Sequence, residues 1–262
     1  MNSNALTHRF GISRAQASKD LALYQKLRPG NLVYDRFVKN YVITDDFKPL
    51  LIKGTSDEIF SLLRAGMPAD GPVVVLSGGI PPVDVLEPAP LRVDACILSA
   101  ICRAIHAKDK IELSYQALDH ADPDCLHLAP HALVYNGFRW HVRAWNENTQ
   151  SFLDYVLARI RSVPTKLGPA ARMAEEDEAW QSIVTVRIAP HPGLAASQQQ
   201  VIADDFGMMN GYVDIPVRAA LIPYYLRLMR IGSGDERRDP KIQQIILANK
   251  EEVVPLATRL EA

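Results

Sequence analysis

The segment GFRWHVRAW, residues 137–145, alternates basic side chains with apolar ones. Successive side chains of a β-strand point to opposite faces, so Arg139, His141 and Arg143 would share one face. Neighbouring cations at a protein surface repel each other by about 1 kcal/mol, and an anion between them would stabilise the arrangement. The planar guanidinium group of arginine suits phosphate and carboxylate groups. The pattern therefore predicts a strand that offers hydrogen-bond donors to an anionic ligand.

Further polar groups lie in the neighbouring strand-like runs. Ser114 and Tyr115 place hydroxyl groups in KIELSYQAL, and Arg159 comes near the end of FLDYVLARI. His131 follows Pro130, which lacks an amide hydrogen and therefore favours an edge strand or a bend. These residues extend the candidate ligand site beyond one strand.

The two faces of residues 138–145 receive different predictions. The apolar face is predicted to join the hydrophobic core, and it consists of Phe138, Trp140, Val142 and Ala144. The basic face also has a less specific interpretation, because charged faces are common on antiparallel sheets that are solvated on one side. In that case the cations would pair across strands with acidic residues such as Glu147 or Asp154.

A second group of polar residues lies in the N-terminal segment ALTHRFGISRAQASKDLALYQKL. Ser13 and Gln16 form a capping box, which predicts that a helix begins at Ser13. At 100° per residue, this helix has an apolar side made of Ala17, Leu21, Tyr24 and Leu27. The opposite side is short, polar and basic, and it consists of Ala15, Ser18, Lys19, Ala22 and Lys26.

The polar side of this helix suits the major groove of DNA, because its alanines permit a close backbone approach. The following NLVYDRFVKNYVI reads as strand, turn and strand, a candidate wing. The predicted DNA contacts are Ser13, Arg14, Gln16, Ser18, Lys19, Arg36 and Lys39. The spacing resembles that of winged helix-turn-helix regulators, although the helix that normally precedes such a pair has no counterpart before Leu6. An ordinary two-helix hairpin with a solvated face remains an alternative, since periodicity specifies packing and not partners.

Turn-forming proline and glycine residues divide the 262 residues into four regions. Residues 1–50 hold the two helices and the wing, and residues 51–92 form a proline-rich connector. Residues 93–168 combine one amphipathic helix with strand-like runs, which indicates a small antiparallel sheet or barrel. Residues 169–262 alternate helix and strand. The fold class is therefore α+β with several domains.

Composition excludes some classes of protein. A formal net charge of −1 means that any nucleic-acid contact must come from a local basic patch. Cys96, Cys102 and Cys125 show no CxxC spacing, which argues against a disulfide framework or a zinc finger and favours a reducing compartment. The sequence contains neither a signal-peptide core nor an apolar run of about 18 residues. A soluble cytoplasmic protein that is not inserted in a membrane is expected.

Motifs for catalysis or metal binding are not found in the sequence. The run DHADPDC, residues 119–125, lacks the glycine and the terminal glutamate of an EF-hand. His127 and His131 would lie about 13 Å apart in a strand, too far to share a zinc ion. GxGxxG, Walker and GxSxG motifs do not occur. We expect no enzyme, no metal and no cofactor.

A wider resemblance connects these fragments. The triplet Trp140-His141-Val142, with APH and GFR before it and ARI after it, resembles the WYL domain, a Sm-like or SH3-like barrel. That domain is named for a Trp-Tyr-Leu strand, and His141 stands here in the tyrosine position. With a winged helix before it and an α+β extension after it, the chain resembles bacterial WYL-domain transcriptional regulators. In particular, the chain resembles the regulators found with BREX and CBASS phage-defence islands.

The resemblance implies a homodimeric repressor that binds inverted-repeat double-stranded DNA and controls a phage-defence operon. It also implies a C-terminal dimerisation domain and a barrel that senses a nucleotide or nucleic-acid effector. The implied ligand-binding positions are Ser114, Tyr115, His131, Arg139, His141, Arg143 and Arg159. The alternative is a nucleotide-binding or nucleic-acid-binding sensor module that does not bind DNA sequence-specifically.

Overall fold

The chain forms two compact units, Met1–Glu87 and Pro88–Ala262. The computed structural model describes residues 2–50, 53, 55–64, 84, 92–232 and 234–261. Much of the predicted connector, residues 51–92, lies outside the described residues. None of the described helices is long and apolar enough to cross a membrane.

The N-terminal unit combines helices with one strand pair. Its elements are α1 (Ser3–Phe10), α2 (Arg14–Leu27), β1 (Leu32–Asp35), β2 (Asn40–Ile43) and α3 (Ser56–Arg64). The Asn2 side chain accepts a hydrogen bond from the Ala5 amide at the start of α1, and Gly11, at a φ of 63°, ends that helix. The Ser13 hydroxyl accepts a hydrogen bond from the Gln16 amide at 3.1 Å. The predicted start of α2 is thus confirmed.

The core face of α2 is shorter than the sequence predicts. Ala17 and Leu21 are buried and Tyr24 is half-buried, but Leu27 is 55% exposed. A polar contact fixes this end of the helix, because the Asn31 amide donates to the Tyr24 hydroxyl at 2.9 Å. Periodicity identifies the correct face but not the residue at which its burial ends.

Asn31 is the polar anchor of the N-terminal unit. Its side chain is buried; it donates to the Lys48 carbonyl at 2.7 Å and accepts from the Lys48 amide at 3.1 Å. Together with the bond to Tyr24, these contacts join α2 to the segment that follows β2. The Asn31 side chain therefore contributes to fixing the position of α2 in this unit, together with the burial of Ala17 and Leu21.

The predicted wing is present as an antiparallel hairpin of β1 and β2. At its tip, the Asp35 carboxylate accepts hydrogen bonds from the amides of Phe37 and Val38 at 2.7 and 3.2 Å. Lys39 adopts a left-handed conformation with a φ of 51°. The turn is consequently ordered by its own backbone and one carboxylate.

The second unit contains two antiparallel sheets with helices packed against them. Its helices are α4 (Ala95–Ala107), α5 (Glu178–Gln181), α6 (Ala196–Asp205), α7 (Ile222–Leu228) and α8 (Lys250–Glu261). Its strands are β3 (Asp109–Tyr115), β4 (Asp124–Tyr135), β5 (Trp140–Asn146), β6 (Ser151–Val156), β7 (Thr165–Pro169), β8 (Ile183–Pro190), β9 (Val213–Arg218) and β10 (Ile245–Leu247).

The first sheet has five strands in the order β6-β5-β4-β3-β7. One face packs on α4, and its core includes the buried residues Ile101, Leu113, Leu128 and Val142. Within residues 92–169, all of them described, the edge strands β6 and β7 do not pair, so the expected closed barrel is not formed. Closure would require a long-range pairing that no local pattern specifies.

The predicted bend after Pro130 is confirmed. The β4–β5 ladder shifts register between Pro130 and Ala132, which leaves His131 in a bulge. Strand β4 nevertheless lies inside the sheet, between β5 and β3. A bulge accommodates the missing amide hydrogen of proline without requiring an edge position.

The predicted core face of β5 is only half correct. Val142 and Ala144 are fully buried, whereas Phe138 and Trp140 are 54% and 50% exposed. Phe138 precedes the strand and belongs to a turn in which the Asn136 side chain accepts from its amide at 3.0 Å. Trp140 lies at the strand end, with its ring 5.1 Å from that of Tyr135.

The second sheet has three strands in the order β10-β8-β9. A separate core forms against it, with Val186, Ile188, Ile222 and Val253 completely buried. These residues come from β8, α7 and α8, so the helices cover this sheet. The predicted α+β character of residues 169–262 is confirmed.

The Asn31→Ala substitution tests the anchor of the N-terminal unit. It removes hydrogen bonds to Tyr24 and Lys48 and leaves buried partners unsatisfied, so the free energy of unfolding of this unit should fall by about 1–3 kcal/mol. Amide hydrogen exchange of β1 and β2 measures this loss. Asn40→Ala, at the more exposed wing, should change it by less than about 0.5 kcal/mol. Equal effects of the two substitutions would contradict the anchoring role.

Candidate functional site

The exposed side of α2 presents most of the predicted DNA contacts. The exposed members are Ser13, Arg14, Gln16, Ser18 and Lys19. The Ser13 hydroxyl is occupied as the helix cap, and the Gln16 side chain donates to the Asp20 carboxylate at 2.7 Å, not to the cap. Only half of the predicted capping box is therefore formed, and Arg14, Ser18 and Lys19 stay available on the surface.

The wing contributes the remaining predicted contacts. Arg36 and Lys39 are exposed at its tip. Arg14 and Ser18 of α2 and Lys39 of the wing line one cleft of about 450 Å³, together with residues at the start of α1. The structure thus brings residues of the helix and of the wing to one concave surface.

Phe37 is a further candidate that the sequence analysis did not single out. Its side chain is 99% exposed at the wing tip, between Arg36 and Lys39. An apolar ring with no protein contact beside two cations is typical of side chains that approach a nucleic-acid groove. The available signal was a large aromatic residue inside a short polar turn.

On the first sheet, the basic face of β5 is buried against the C-terminal region. Arg143 is only 3% exposed, and its Nε and Nη2 atoms donate to the two carboxylate oxygens of Asp177 at 2.6 and 3.0 Å. Its Nη1 atom donates to Asp154, its neighbour across the strands, at 3.1 Å. Arg143 is thus already paired within the chain. The cross-strand pairing with Asp154 agrees with the less specific interpretation, but the face is buried and not solvated as that interpretation expects.

His131 shares the same carboxylate. Its Nε2 atom lies 3.0 Å from Asp177 Oδ2, and its ring makes edge contacts with Phe152 and Trp180 at 5.5 Å. The bulge after Pro130 brings this ring out of the regular ladder and towards Asp177. Two predicted ligand-binding residues therefore meet at an acidic group of the chain itself.

Asp177 precedes α5 and caps it, because its carboxylate accepts a hydrogen bond from the Trp180 amide at 3.1 Å. Burial alone would raise the pKa of Asp177. Hydrogen bonds from His131 and Arg143, with the charge of Arg143, outweigh this effect and hold the pKa at about 2. Asp177 is a second residue that could not be singled out from the sequence, because its local signal is only an aspartate before the short helical run EAWQ.

His141 and Arg139 lie further along β5. The His141 ring is buried and lies 5.1 Å from the Tyr224 ring. Burial lowers the pKa of His141 despite the nearby Asp154 carboxylate, so the imidazole is neutral at pH 7. Within the described chain, the buried atoms His141 Nδ1, His131 Nδ1 and Arg139 Nε have no hydrogen-bond partner.

An apolar cleft adjoins these groups. It measures about 350 Å³ and lies between the β4–β5 end of the first sheet and the β9–α7 region. The aromatic and basic residues in its wall are Tyr135, Tyr224, Tyr225 and Arg218. Tyr224 belongs to the wall and also stacks near His141, so the cleft and the unused nitrogen atoms share a neighbour.

The remaining predicted ligand residues have other surroundings. Tyr115 belongs to the core on the opposite side of the sheet, where its hydroxyl accepts from the Val156 amide at 3.2 Å. The Ser114 amide donates to the Ser162 hydroxyl, and the Arg159 carbonyl accepts from the Gln116 amide. The structure therefore gathers His131, Arg139, His141 and Arg143 but does not place Tyr115 with them.

The Asp177→Asn substitution tests the buried network. Loss of the carboxylate charge leaves Arg143 buried with less compensation, and the free energy of unfolding should fall by about 3–5 kcal/mol at pH 7. The native pKa lies below the ordinary value of 3.8, so this stabilisation is complete above about pH 5 and is lost as the pH falls towards 2. Urea denaturation at pH 7 and pH 3 measures the difference.

The control for this network is Asp214→Asn. Asp214 also pairs with an arginine, Arg187, at 2.7 Å, but both side chains are 40% exposed. Its replacement should cost less than about 1 kcal/mol. Equal losses from the two substitutions, or a loss in Asp177→Asn that is the same at both pH values, would contradict the role assigned to the buried carboxylate.

Family models match three parts of the chain. The winged helix-turn-helix domain of the BrxR transcriptional regulator matches residues 1–65, and the WYL domain matches residues 97–165. The C-terminal dimerization domain of the BrxR transcriptional regulator matches residues 183–253. The domain types predicted from the sequence are thereby confirmed.

Full-length relatives are named DNA-binding transcriptional repressor CapW. The protein of Pseudomonas aeruginosa is 35% identical over 98% of this chain and 86% of its own length. That of Stenotrophomonas maltophilia is 34% identical over 97% of this chain and 85% of its own length. Among solved structures, proteasome accessory factor B/C of Arthrobacter aurescens has a TM-score of 0.34 and 15% identity, covering 99% of this chain and 41% of that one.

Identity at this level along nearly the whole chain confirms the resemblance drawn from the sequence. The protein belongs to the CapW family, whose named members are DNA-binding transcriptional repressors, and it combines BrxR-type winged helix and dimerization domains with a central WYL domain.

Proposed function

We propose that this protein is a cytoplasmic, homodimeric transcriptional repressor that binds an inverted-repeat operator and controls a phage-defence operon. In this proposal the WYL domain senses a nucleotide or nucleic-acid effector, and the chain performs no catalysis. The observation that carries the proposal is the concave surface on which Arg14 and Ser18 of α2 meet Lys39 of the wing. The family of the chain and its resemblance to phage-defence regulators support the same function.

The proposed DNA contacts follow from exposure and charge. Arg14, Gln16, Ser18 and Lys19 project from the first turns of α2, where a recognition helix contacts base edges and phosphates. Arg36 and Lys39 would contact the backbone beside the helix, and Phe37 would pack against sugars in the adjacent minor groove. A chain with a net charge of −1 depends on such a local patch for DNA affinity.

Dimer formation is supported by the match to a dimerization domain and by apolar surface in the C-terminal region. The exposed apolar side chains there include Ile183, Val201, Met209 and Ile242. A two-fold dimer presents two identical helices, which matches the symmetry of an inverted repeat. The half-sites of the operator would then be related by the same two-fold axis.

The proposed effector site is the apolar cleft beside β5. Tyr135, Tyr224 and Tyr225 offer rings on which a base can stack, and Arg218 lines the same wall. Arg139 and His141 provide the unused nitrogen atoms described above. Within the predicted ligand set, Arg139 and His141 would contact the effector, while Arg143 and His131 would connect the site to Asp177. Ser114, Tyr115 and Arg159 would support the sheet.

A sensor module without sequence-specific DNA binding is the second candidate. It is favoured by the exposed rings of Phe138 and Trp140 near the cleft, because sequence-independent binding of single strands uses such stacking. Salt titration with duplex and single-stranded DNA separates the candidates. A repressor binds its operator with nanomolar affinity and a steep salt slope, whereas a pure sensor prefers single strands.

Substitutions on α2 test the repressor proposal. Arg14→Ala and Lys19→Ala should each weaken operator binding by about tenfold, equivalent to about 1.4 kcal/mol, and leave thermal stability unchanged. Lys19→Ala should also reduce the slope of log affinity against log salt by about one unit. Lys241→Ala, an exposed cation of the C-terminal region, serves as the control. If both α2 variants bind the operator as tightly as the wild type, the proposal that this surface contacts DNA is wrong.

The Arg139→Ala substitution tests the effector site. We expect its affinity for a short single-stranded oligonucleotide to fall by about tenfold, because a charged partner of the phosphate is lost. Isothermal titration calorimetry measures the affinity. Arg172→Ala is the control, since Arg172 is exposed and lies 4.8 Å from the Trp145 ring, outside the cleft. Equal affinity of the wild type and Arg139→Ala would place the effector elsewhere.

A further inference from the structure

A group of potential metal ligands lies on the part of the first sheet that carries neither the Asp177 network nor the apolar cleft. Glu112 of β3 stands directly opposite His127 of β4, and Cys125 is two residues before His127 on the same strand. Alternation along a strand gives residues two apart the same face, and directly paired residues also share a face. Glu112, Cys125 and His127 consequently project together from two adjacent strands.

The distances between these side chains suit one small cation. One potential ligand atom from each of the three residues lies within 4.8 Å of the other two. The Glu112 carboxylate is 3.1 Å from His127 Nε2. Bonds of about 2.0–2.3 Å from a tetrahedral zinc ion to nitrogen, oxygen and sulfur place such atoms about 3.3–3.7 Å apart. Small side-chain rotations on a fixed strand pair would bring all three into coordination.

We propose that Glu112, Cys125 and His127 form a binding site for one divalent transition-metal ion with the preferences of Zn²⁺. Thiolate and imidazole ligands select zinc and related cations over Mg²⁺ and Ca²⁺, which prefer oxygen. One thiolate and one carboxylate neutralise the charge of the ion. The fourth position is left to water, as in sites from which the metal can exchange.

The surroundings of Cys125 agree with this assignment. Ligand atoms of the Glu112 carboxylate and the Cys125 thiolate lie within 4.8 Å of each other. Two such anions repel each other, and a bound cation reverses that interaction because it attracts both groups.

The site is accessible and belongs to a rigid support. The side chains of His127 and Glu112 are 44% and 46% exposed, and Cys125 is exposed. The strands that carry them pair continuously from Ile111 to Tyr115, so the ligands are held before a cation arrives. An ion bound there joins β3 to β4, in addition to their backbone hydrogen bonds.

The sequence alone does not reveal this group. The pattern Cys-x-His resembles no common zinc motif, and the third ligand lies 13 residues earlier, at position 112. Only the strand register places Glu112 opposite His127. His131, the other histidine of β4, does not belong to this group, because its ring contacts Asp177.

Cobalt provides the experiment, because Co²⁺ enters zinc sites and a cobalt–thiolate bond gives a charge-transfer band in the near ultraviolet. The full chain, freed of metal with a chelator, should develop this band with a stoichiometry of one Co²⁺ per chain and lose it when Zn²⁺ is added. Cys125→Ser should abolish the band. Glu112→Gln and His127→Ala should weaken metal binding by at least about tenfold, the loss that even a change outside the ligand shell can cause.

Cys96→Ser and Cys102→Ser are the matched controls, because both cysteines are exposed on α4. They should retain the band. A measurement on the wild-type chain supplements the variants: Zn²⁺, but not Mg²⁺, should slow alkylation of Cys125 and leave Cys96 and Cys102 reactive. The proposed metal site is wrong if the wild type shows no band or if the band persists in Cys125→Ser. It is also wrong if Cys125 is alkylated at the same rate with and without Zn²⁺.

Discussion

A guanidinium group buried in the middle of a sheet requires a buried carboxylate, and the second unit of this protein is arranged around that requirement. Arg143 lies on β5, whereas its partner Asp177 comes from the segment between the two sheets. An unpaired charge at this depth would cost several kcal/mol. The WYL sheet can therefore bury its second face only when the Asp177 segment is docked. This interaction couples the central sheet to the segment between the residues that match the WYL domain and those that match the dimerization domain.

The local elements of the fold were accessible from the sequence, because short-range rules control them. The cap at Ser13, the hairpin that carries Arg36 and the bend after Pro130 each depend on residues close in the chain. The alternation of β5 also correctly placed Arg143 and His141 on one face. The exposure of Phe138 was not predictable in this way, because it depends on where the strand begins.

The nature of the candidate site required the three-dimensional structure. Periodicity states that cations share a face but not what covers that face, and Asp177 lies 34 residues after Arg143. The same limitation applies to closure of the barrel, which depends on a pairing of distant strands, and to the group at Glu112, which depends on register. Family resemblance supplied the domain types but not these contacts. The electrostatics of the site therefore follow from tertiary structure.

The aromatic contacts of the second unit have a practical consequence. All three tryptophans of the chain, Trp140, Trp145 and Trp180, lie in that unit, and the N-terminal unit has none. Trp180 is in edge contact with His131, and Trp145 with Phe152. Fluorescence excited selectively at tryptophan therefore reports whether the Asp177 segment is packed on the sheet. It does not report on the winged helix. Intrinsic tryptophan fluorescence thus follows the packing of the segment that joins the central and C-terminal domains.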